Sequence, residues 1–448
     1  MSTSPTSARS PHASGARQGG RRPPPPVGGL AARRAALALV DAALARRGGM
    51  EDVDEGSLAG LEGRDRGFAR ALALGTLRWL GPVDRALSAR LRKPPPAAVG
   101  SLLRLGAAQM LALDTPPHAA VSTTLALAAG NPEARPFVKL MNAVLRGLDR
   151  ERPVVTPDQF APDWLLARWR AAYGEEVALA IAARIREEPP TDLSLRDPLD
   201  ADAVAEAVEG IVLPGPTVRT GRRGDVSAWP GFAEGRWWVQ DAAAALPARL
   251  LGVAPGQTAL DLCAAPGGKT LQLAAAGALV VAVDRSEARL ARVRDNLVRM
   301  GLEAELVAAD VGAWDDDRLF DAVLLDAPCS ATGTFRRHPD VLWTSRPTDI
   351  AALAAAQAKL LGAAAQRVRP GGRLVYCVCT LEPEEGEAQI APFLSRHPEI
   401  KLEAIAAGEG GAPAAAVRPD GMLRLLPNFD PPAGGLDGFF IARFRRMG

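Results

Sequence analysis

The 448-residue chain has little of several features that would mark whole classes of protein. No uncharged apolar stretch approaches the roughly 18 residues that a transmembrane helix needs, which argues against a membrane-spanning protein. The N-terminus lacks the apolar core of a secretory signal, and we therefore expect a cytoplasmic protein. The formal net charge is only +2, so any nucleic-acid surface must come from local clustering of basic residues.

Cysteine and histidine are also scarce, at four residues each. The chain contains no Cys-x-x-Cys pair and its histidines are scattered, so the sequence predicts no metal site. Disulfides are not expected in a cytosolic protein. All the cysteines lie near the ends of apolar runs in the C-terminal half, at Cys263, Cys329, Cys377 and Cys379. That placement leaves two interpretations open, which are buried structural thiols and cysteine chemistry in one shared cleft.

Composition and hydrophobic periodicity divide the chain into four parts. Residues 1–28 are rich in Ser, Pro, Gly and Arg and lack acidic residues, which predicts a disordered tail. Residues 29–150 carry apolar residues at helical spacing and many arginines, which predicts an all-α bundle with either a solvated or an RNA-binding basic face. Residues 151–235 predict a small α+β insert. Residues 236–448 alternate strand and helix, which predicts a Rossmann-like α/β domain with a mostly parallel sheet.

The predicted elements follow from the same patterns. In the bundle, the predicted helices are 30–47, 64–80, 83–91, 97–113, 119–129 and 135–149. In the insert, we predict helices at 164–172 and 175–186 and strands at 193–195 and 211–213. In the last domain, the predicted strands are 258–263, 279–283, 304–307, 322–325, 373–379, 422–425 and 439–443. Its predicted helices are 269–276, 286–300 and 349–368.

A glycine turn between a strand and a helix is the first candidate ligand site. It runs from Asp261 to Lys269 and contains Gly267 and Gly268, which would let the backbone approach a ligand closely. In an α/β sheet this turn lines the crevice where nucleotide-like ligands bind. The turn is not a P-loop, and a dehydrogenase would carry a fuller glycine pattern. S-adenosylmethionine, a nucleoside without phosphate, therefore fits best.

Acidic residues and thiols follow the later strands. Asp284, Asp310 and Asp326 lie at three successive strand ends, where Asp284 could bind ribose hydroxyls and Asp310 would lie near a purine. Helix capping could explain one such residue, but not all three. Cys329 follows Asp326 and Cys379 ends the next strand, so we expect the two thiols to meet above the cofactor. A thiolate that adds to carbon 6 of cytosine makes carbon 5 nucleophilic toward a sulfonium methyl group.

Four motifs resemble those of the RNA cytosine-5 methyltransferases. They are residues 261–269, residues 326–330 (Asp-Ala-Pro-Cys-Ser), residues 336–339 (Arg-Arg-His-Pro) and residues 376–385. Residues 75–79, 103–107 and 142–146 also resemble pieces of the NusB-type RNA-binding domain. The resemblance implies a monomeric enzyme, with an RNA-binding insert at 151–235, that uses S-adenosylmethionine to methylate carbon 5 of a cytosine in 16S ribosomal RNA.

The resemblance also implies a role for each site residue. Cys379 would be the nucleophile, Cys329 would help to release the product, Asp326 would orient cytosine and cofactor, and Lys269 would support the site. The implied cofactor contacts are Cys263, Ala264, Ala265, Pro266, Gly267, Gly268, Lys269, Asp284, Asp310 and Asp326. Near the active loop, we also expect Arg336, Arg337 and Arg346 to contact RNA phosphates, unless they are ordinary solvated charges.

Two departures from the family pattern stand out, and three other functions remain open. Cys377 replaces the more usual Ser or Ala, and residues 193–197 lack the Asn that usually ends this stretch. The catalytic motifs would equally suit methylation of transfer RNA. A non-catalytic RNA-binding or antitermination factor would need neither Cys329 nor Cys379. A small-molecule methyltransferase would have no use for the basic helical bundle.

Overall fold

The computed structural model describes residues 29–45, 56–429 and 433–448, so the predicted tail at 1–28 lies outside the described residues. The first part is the predicted helical bundle. Its helices are α1 (Leu30–Leu44), α2 (Gly63–Arg78), α3 (Leu80–Ser88), α4 (Ala97–Leu111), α5 (Pro117–Ala129) and α6 (Val138–Arg150). Leucine and alanine side chains from all six helices form one buried core, as the helical spacing predicts.

The insert pairs helices with a small antiparallel sheet. Its helices are α7 (Asp163–Tyr173), α8 (Glu175–Ala183) and α9 (Ala201–Ala207), and its strands are β1 (Thr191–Leu195), β2 (Gly210–Leu213), β3 (Thr217–Thr220) and β4 (Trp237–Val239). The strand order is β2-β3-β1-β4. The sequence patterns did not predict β3 or β4. Because β4 pairs with β1, the predicted division at residues 235 and 236 separates two strands of one sheet.

The C-terminal domain is built on an eight-stranded sheet. Its strands are β5 (Thr258–Leu262), β6 (Leu279–Asp284), β7 (Glu305–Ala308), β8 (Phe320–Asp326), β9 (Val368–Val378), β10 (Ile400–Leu402), β11 (Leu423–Leu425) and β12 (Phe439–Arg446). The order is β10-β12-β9-β8-β5-β6-β7, and β11 pairs with β12. Strands β5 to β9 run parallel, while β12 is antiparallel to β9, which confirms the predicted, mostly parallel sheet.

Helices cover both faces of this sheet, and apolar side chains fill the two spaces between. These helices are α10 (Ala242–Leu251), α11 (Gly268–Ala275), α12 (Glu287–Met300), α14 (Pro347–Gln366) and α15 (Glu387–Arg396), whereas the short α13 (Val341–Thr344) packs with apolar residues of the insert. The residues at the two ends of helix α12 explain where it begins and ends. The Ser286 hydroxyl accepts a hydrogen bond from Arg289 N at its start, and Gly301 adopts a left-handed conformation at its end.

A buried cluster of three arginines and three aspartates joins the insert to the C-terminal domain. Arg219 pairs with Asp192 at 2.6 Å, and Arg337 hydrogen-bonds Asp241 and approaches Asp437 to 3.3 Å. Arg336, which is only 1% exposed, lies 3.5 Å from Asp437. The expectation that Arg336 and Arg337 contact RNA phosphates is therefore wrong, because both guanidinium groups neutralise buried carboxylates.

Arg78, at the end of α2, connects all three parts of the chain. Its buried guanidinium donates to the carbonyl oxygen of Glu187 in the insert at 3.1 Å and to that of Arg336 in the C-terminal domain. Nearby, the Trp343 indole donates to the Leu77 carbonyl oxygen at 3.0 Å. The bundle is thus bonded directly to the backbone that follows the Cys329 loop.

No helix among the described residues is long and apolar enough to cross a membrane.

We predict that Arg78→Met destabilises the whole protein. The change leaves carbonyl oxygens at the junction without their donor, which should lower the free energy of unfolding by roughly 2–4 kcal/mol. The exposed Arg92 offers a matched control, and Arg92→Met should change it by less than about 0.5 kcal/mol. Urea unfolding of the full-length variants measures both values. Equal midpoints for the two variants would show that the junction adds no stability.

Candidate active site

The glycine turn between β5 and α11 has the strained geometry expected of a ligand-binding loop. Cys263 adopts a left-handed conformation with a φ of 62°, which is unfavourable for a residue other than glycine. Gly267 has a φ of 101°, and a Cβ there would lie 2.9 Å from a methyl group of Val293. The turn therefore packs directly against α12, and α11 begins at Gly268 with its N-terminal N–H groups at the sheet edge.

Asp261 lies beneath this turn and is fully buried. The Thr270 hydroxyl donates to its Oδ2 at 2.6 Å, while its Oδ1 has no hydrogen-bond partner among the described residues. Burial, reinforced by the charges of Asp326 and Asp284, raises the pKa of Asp261 to about 7. A buried carboxylate oxygen without a donor is costly, so this atom is suited to receive a cationic or N–H group from a ligand. Sequence patterns did not single out Asp261 as a residue that binds a cationic or N–H group of a ligand.

The two acids predicted to bind the nucleoside differ in their surroundings. Asp284, at the end of β6, accepts hydrogen bonds from Ala265 N at 3.1 Å and from Ser286 N at 3.0 Å. It therefore holds the glycine turn and the backbone of Ser286, the residue that caps α12. Asp310 follows β7 by two residues and is exposed, and its Oδ1 accepts from Gly312 N at 2.8 Å. Both carboxylates lie at the same edge of the sheet.

Lys269 and Asp326 form an ion pair across this edge. Lys269 Nζ lies 2.7 Å from Asp326 Oδ2, and it also lies 5.6 Å from the centre of the Phe439 ring. Burial alone would lower the pKa of Lys269, but the charge of Asp326 outweighs it and raises the pKa above its ordinary value. The structure therefore joins Lys269 and Asp326, which the sequence predicted separately, in one ion pair.

The thiols of Cys329 and Cys379 meet, as the sequence predicted from their positions after neighbouring strands. Their sulfur atoms lie 3.4 Å apart, and both residues are partly exposed. Cys377 is fully buried, and its thiol donates to Asp326 Oδ1 at 3.4 Å. Burial raises the pKa of Cys377 well above its ordinary value, and raises that of Cys263 to about 12. Both of these thiols therefore keep their protons at neutral pH.

The loops that carry the two thiols are bonded to each other. Gly333 N donates to the Cys379 carbonyl oxygen at 3.0 Å, and a Cβ on Gly333 would collide with Gly438, which precedes β12. Glu385, fully buried, hydrogen-bonds Ser330 and Thr380. In the sequence, Glu385 is only one residue of a motif, and no local signal distinguishes it from the exposed Glu384 beside it.

Helix α7 of the insert reaches the loop that follows Cys379. Arg168 pairs with the buried Glu382 at 2.5 Å and with Glu384 at 2.7 Å. The Tyr173 hydroxyl donates to the carbonyl oxygen of Leu381. The insert therefore forms part of the wall of the site.

Of the three arginines predicted to contact phosphates, only Arg346 remains exposed, beside the start of α14.

Known proteins with the same arrangement identify the family. The family model described as 16S rRNA methyltransferase RsmB/F matches residues 248–445, and the NusB family model matches residues 30–150. A ribosomal RNA small subunit methyltransferase B from Pseudomonas syringae pv. tomato is 39% identical, over 93% of this chain and 97% of its own. One from Klebsiella pneumoniae is 38% identical, over 85% and 90%. The chain belongs to the RsmB/F family of 16S rRNA methyltransferases.

Solved structures support the fold of this RsmB/F-family protein. The crystal structure of PH0851 superposes with a TM-score of 0.75 at 22% identity, over 93% of this chain and 99% of its own. The structure of NSun6 from Pyrococcus horikoshii with SFG has a TM-score of 0.54 at 22% identity, over 64% and 98%. These likenesses show the fold, including the Rossmann-like domain and its sheet.

S-adenosylmethionine is the methyl donor of the family, and the residues at this edge of the sheet fit it. The unpartnered Oδ1 of Asp261 is available for the ammonium group of the donor's methionine part. The glycine turn offers backbone N–H groups, and Asp284 lies at the neighbouring strand end. The residues present therefore match a zwitterionic nucleoside, with acidic groups for its cationic and hydroxyl parts.

We predict that cofactor binding releases a proton from Asp261. Because the pKa of Asp261 is raised to about 7, its carboxyl group is mostly protonated at pH 6, and a bound ammonium group would favour its ionised form. Calorimetric titration with S-adenosylhomocysteine, in buffers of different ionisation enthalpy, should show release approaching about one proton at pH 6 and little at pH 8.

The variant Asp261→Asn should abolish this proton release, whereas Asp315→Asn, an exposed control, should preserve it. The same raised pKa means that, without ligand, Asp261 contributes stability below about pH 4 that is lost as the pH rises through about 7. The wild type should therefore lose more stability than Asp261→Asn between pH 5 and pH 8. Binding with no proton release at pH 6 would contradict contact between Asp261 and the cofactor.

Proposed function

We propose that this protein methylates carbon 5 of one cytosine in 16S ribosomal RNA through a transient covalent bond between Cys379 and carbon 6 of that base. The observation that carries the proposal is the pair of sulfur atoms 3.4 Å apart, on two loops at the edge where the Lys269–Asp326 pair lies. A protein that only binds RNA has no use for two adjoining thiols in a cofactor crevice.

The chemistry assigns a different task to each residue. The Cys379 thiolate adds to carbon 6 of cytosine, which breaks the aromaticity of the ring and makes carbon 5 nucleophilic. Bound S-adenosylmethionine supplies an electrophilic methyl group for that carbon. Elimination then transfers the carbon-5 proton to solvent and returns the electron pair of the C6–S bond to Cys379. Cys329 assists this release, and the Asp326 carboxylate, fixed by Lys269, orients the cytosine.

The remaining assignments concern binding. Residues 263–269 would hold the cofactor together with Asp326, with Asp284 on the ribose hydroxyls and Asp310 beside the adenine. The target base must leave its stack to enter the crevice, which favours free or partly assembled RNA as the substrate. We further propose that the bundle and the insert hold that RNA, and that the enzyme acts in the cytoplasm as a monomer without a metal ion.

We predict that the two thiol variants fail in different ways. With labelled S-adenosylmethionine and undermethylated 16S RNA, Cys379→Ala should lower methyl transfer by at least about 10³-fold, because the nucleophile is gone. Cys329→Ala should instead accumulate a covalent RNA–protein adduct, seen as a slow band on a denaturing gel. The double variant should show no adduct, since the bond requires Cys379.

Transfer RNA and a metabolite pool serve as competing substrates in the same assay. Label found in transfer RNA rather than in 16S RNA would show that the same reaction has transfer RNA as its substrate. Label found only in small molecules would exclude RNA methylation. Normal methyl transfer by both single variants would refute the covalent mechanism, and label on an atom other than carbon 5 would refute the assigned position.

A further inference from the structure

Glu385 is a buried carboxylate that the proposed reaction does not yet use. Its side chain is fully buried, and its carboxylate has no cationic partner within ion-pair distance among the described residues. Four neutral donors satisfy it instead. Oε1 accepts from Ser330 N at 2.8 Å and from Gln357 Nε2 at 3.1 Å, while Oε2 accepts from the Ser330 hydroxyl at 2.5 Å and the Thr380 hydroxyl at 2.7 Å.

The residues that Glu385 contacts are the neighbours of the two thiols in the chain. Ser330 follows Cys329, and Thr380 follows Cys379. The Ser330 and Thr380 hydroxyls also lie 2.8 Å from each other, which closes the network. One buried carboxylate therefore ties the two thiol-bearing loops together, in addition to the bond from Gly333 N to the Cys379 carbonyl oxygen.

The contacts of Glu385 are asymmetric. Three of the four hydrogen bonds come from the Cys329 side or from Gln357, which also donates to the Pro328 carbonyl oxygen at 2.9 Å. The negative charge of Glu385 therefore bears directly on the Cys329 loop. A negative charge near a thiol disfavours its ionisation, and so does burial.

We propose that Glu385 is a positioning residue that makes the two thiols unequal, because its charge keeps the proton on Cys329 so that Cys329 donates its S–H to the sulfur of Cys379. This inference rests on the proposed covalent mechanism. The hydrogen bond stabilises the Cys379 thiolate before it adds to carbon 6. It does so again when the C6–S bond breaks and the electron pair returns to Cys379, while Cys329 retains its own proton throughout.

The groups that face Cys329 support a hydrogen bond in which Cys329 is the donor and Cys379 the acceptor. Its hydrogen bond with Cys379, burial, and the charges of Cys379 and Glu385 together raise the pKa of Cys329 well above its ordinary value. Tyr376, from β9, has a pKa that burial raises well above its ordinary value, so its phenol is uncharged. On the same strand end as Cys329, the charge of Asp326 is paired with Lys269. The buried Arg424, which donates to the Thr380 carbonyl oxygen, is paired with Glu387 at 2.5 Å.

The test measures the ionisation of Cys329 without any methyl transfer. In a Cys379→Ser background, the rate of Cys329 alkylation by iodoacetamide is followed from pH 6 to pH 11 by peptide mass spectrometry. Glu385→Gln, which keeps the size of the side chain but removes its charge, should lower the alkylation midpoint by at least about half a pH unit. Glu403→Gln, an equal charge change at an ion pair with Arg373, should leave the midpoint unchanged.

A second measurement separates charge from shape. With Cys379 present, Glu385→Gln should lower kcat for RNA methylation by about tenfold, change KM for RNA by less than about twofold, and keep the melting temperature within a few degrees. Glu385→Ala, which leaves Ser330 and Thr380 without an acceptor, should lower the melting temperature as well.

Two outcomes would overturn the proposal. One is a folded Glu385→Gln variant whose alkylation midpoint stays unchanged or rises. The other is a Glu385→Gln variant that loses as much stability as Glu385→Ala, which would show a purely structural role. Because alkylation requires neither RNA nor cofactor, its result can be told apart from a failure of cytosine methylation.

Discussion

A carboxylate removed from water must be compensated by a cation or by several hydrogen bonds, and this constraint shapes the whole catalytic edge. Asp326 is compensated by Lys269, which fixes the glycine turn against β8. Glu382 is compensated by Arg168, which fixes the insert against the loop after β9. Glu385 is compensated by the two thiol-bearing loops. Each buried charge thus joins segments that are far apart in the chain, and their combined effect is a preorganised crevice.

Much of this architecture could be predicted because its signals are local. The parallel strands are short apolar runs that end in Asp or are followed within two residues by Asp or Cys, and the carboxyl ends of parallel strands share one edge. For that reason, the positions of Cys329 and Cys379 relative to their strands were enough to predict that the two thiols meet. The family resemblance supplied their roles, which geometry alone does not give.

The parts that could not be predicted depend on distant partners. Strand β3 has the sequence Thr-Val-Arg-Thr, yet all four residues are buried, because Asp192 neutralises Arg219 from the neighbouring strand. Arg336 and Arg337 looked like exposed loop charges for the same reason, since Asp241 and Asp437 come from elsewhere. The surroundings of Asp261 and Glu385 could not be predicted. The sequence of a motif does not reveal whether an acidic side chain is buried, or whether hydrogen-bond donors lie close to it.

The bond between Arg168 and Glu382 has a consequence for how this architecture can be divided or recombined. The insert is a separate unit by sequence pattern, but it supplies the cation for a fully buried carboxylate only three residues after Cys379. A C-terminal domain excised from its N-terminal neighbours would carry that charge uncompensated, in the loop that follows Cys379. An insert transplanted from a related protein would therefore have to bring an arginine that can pair with Glu382.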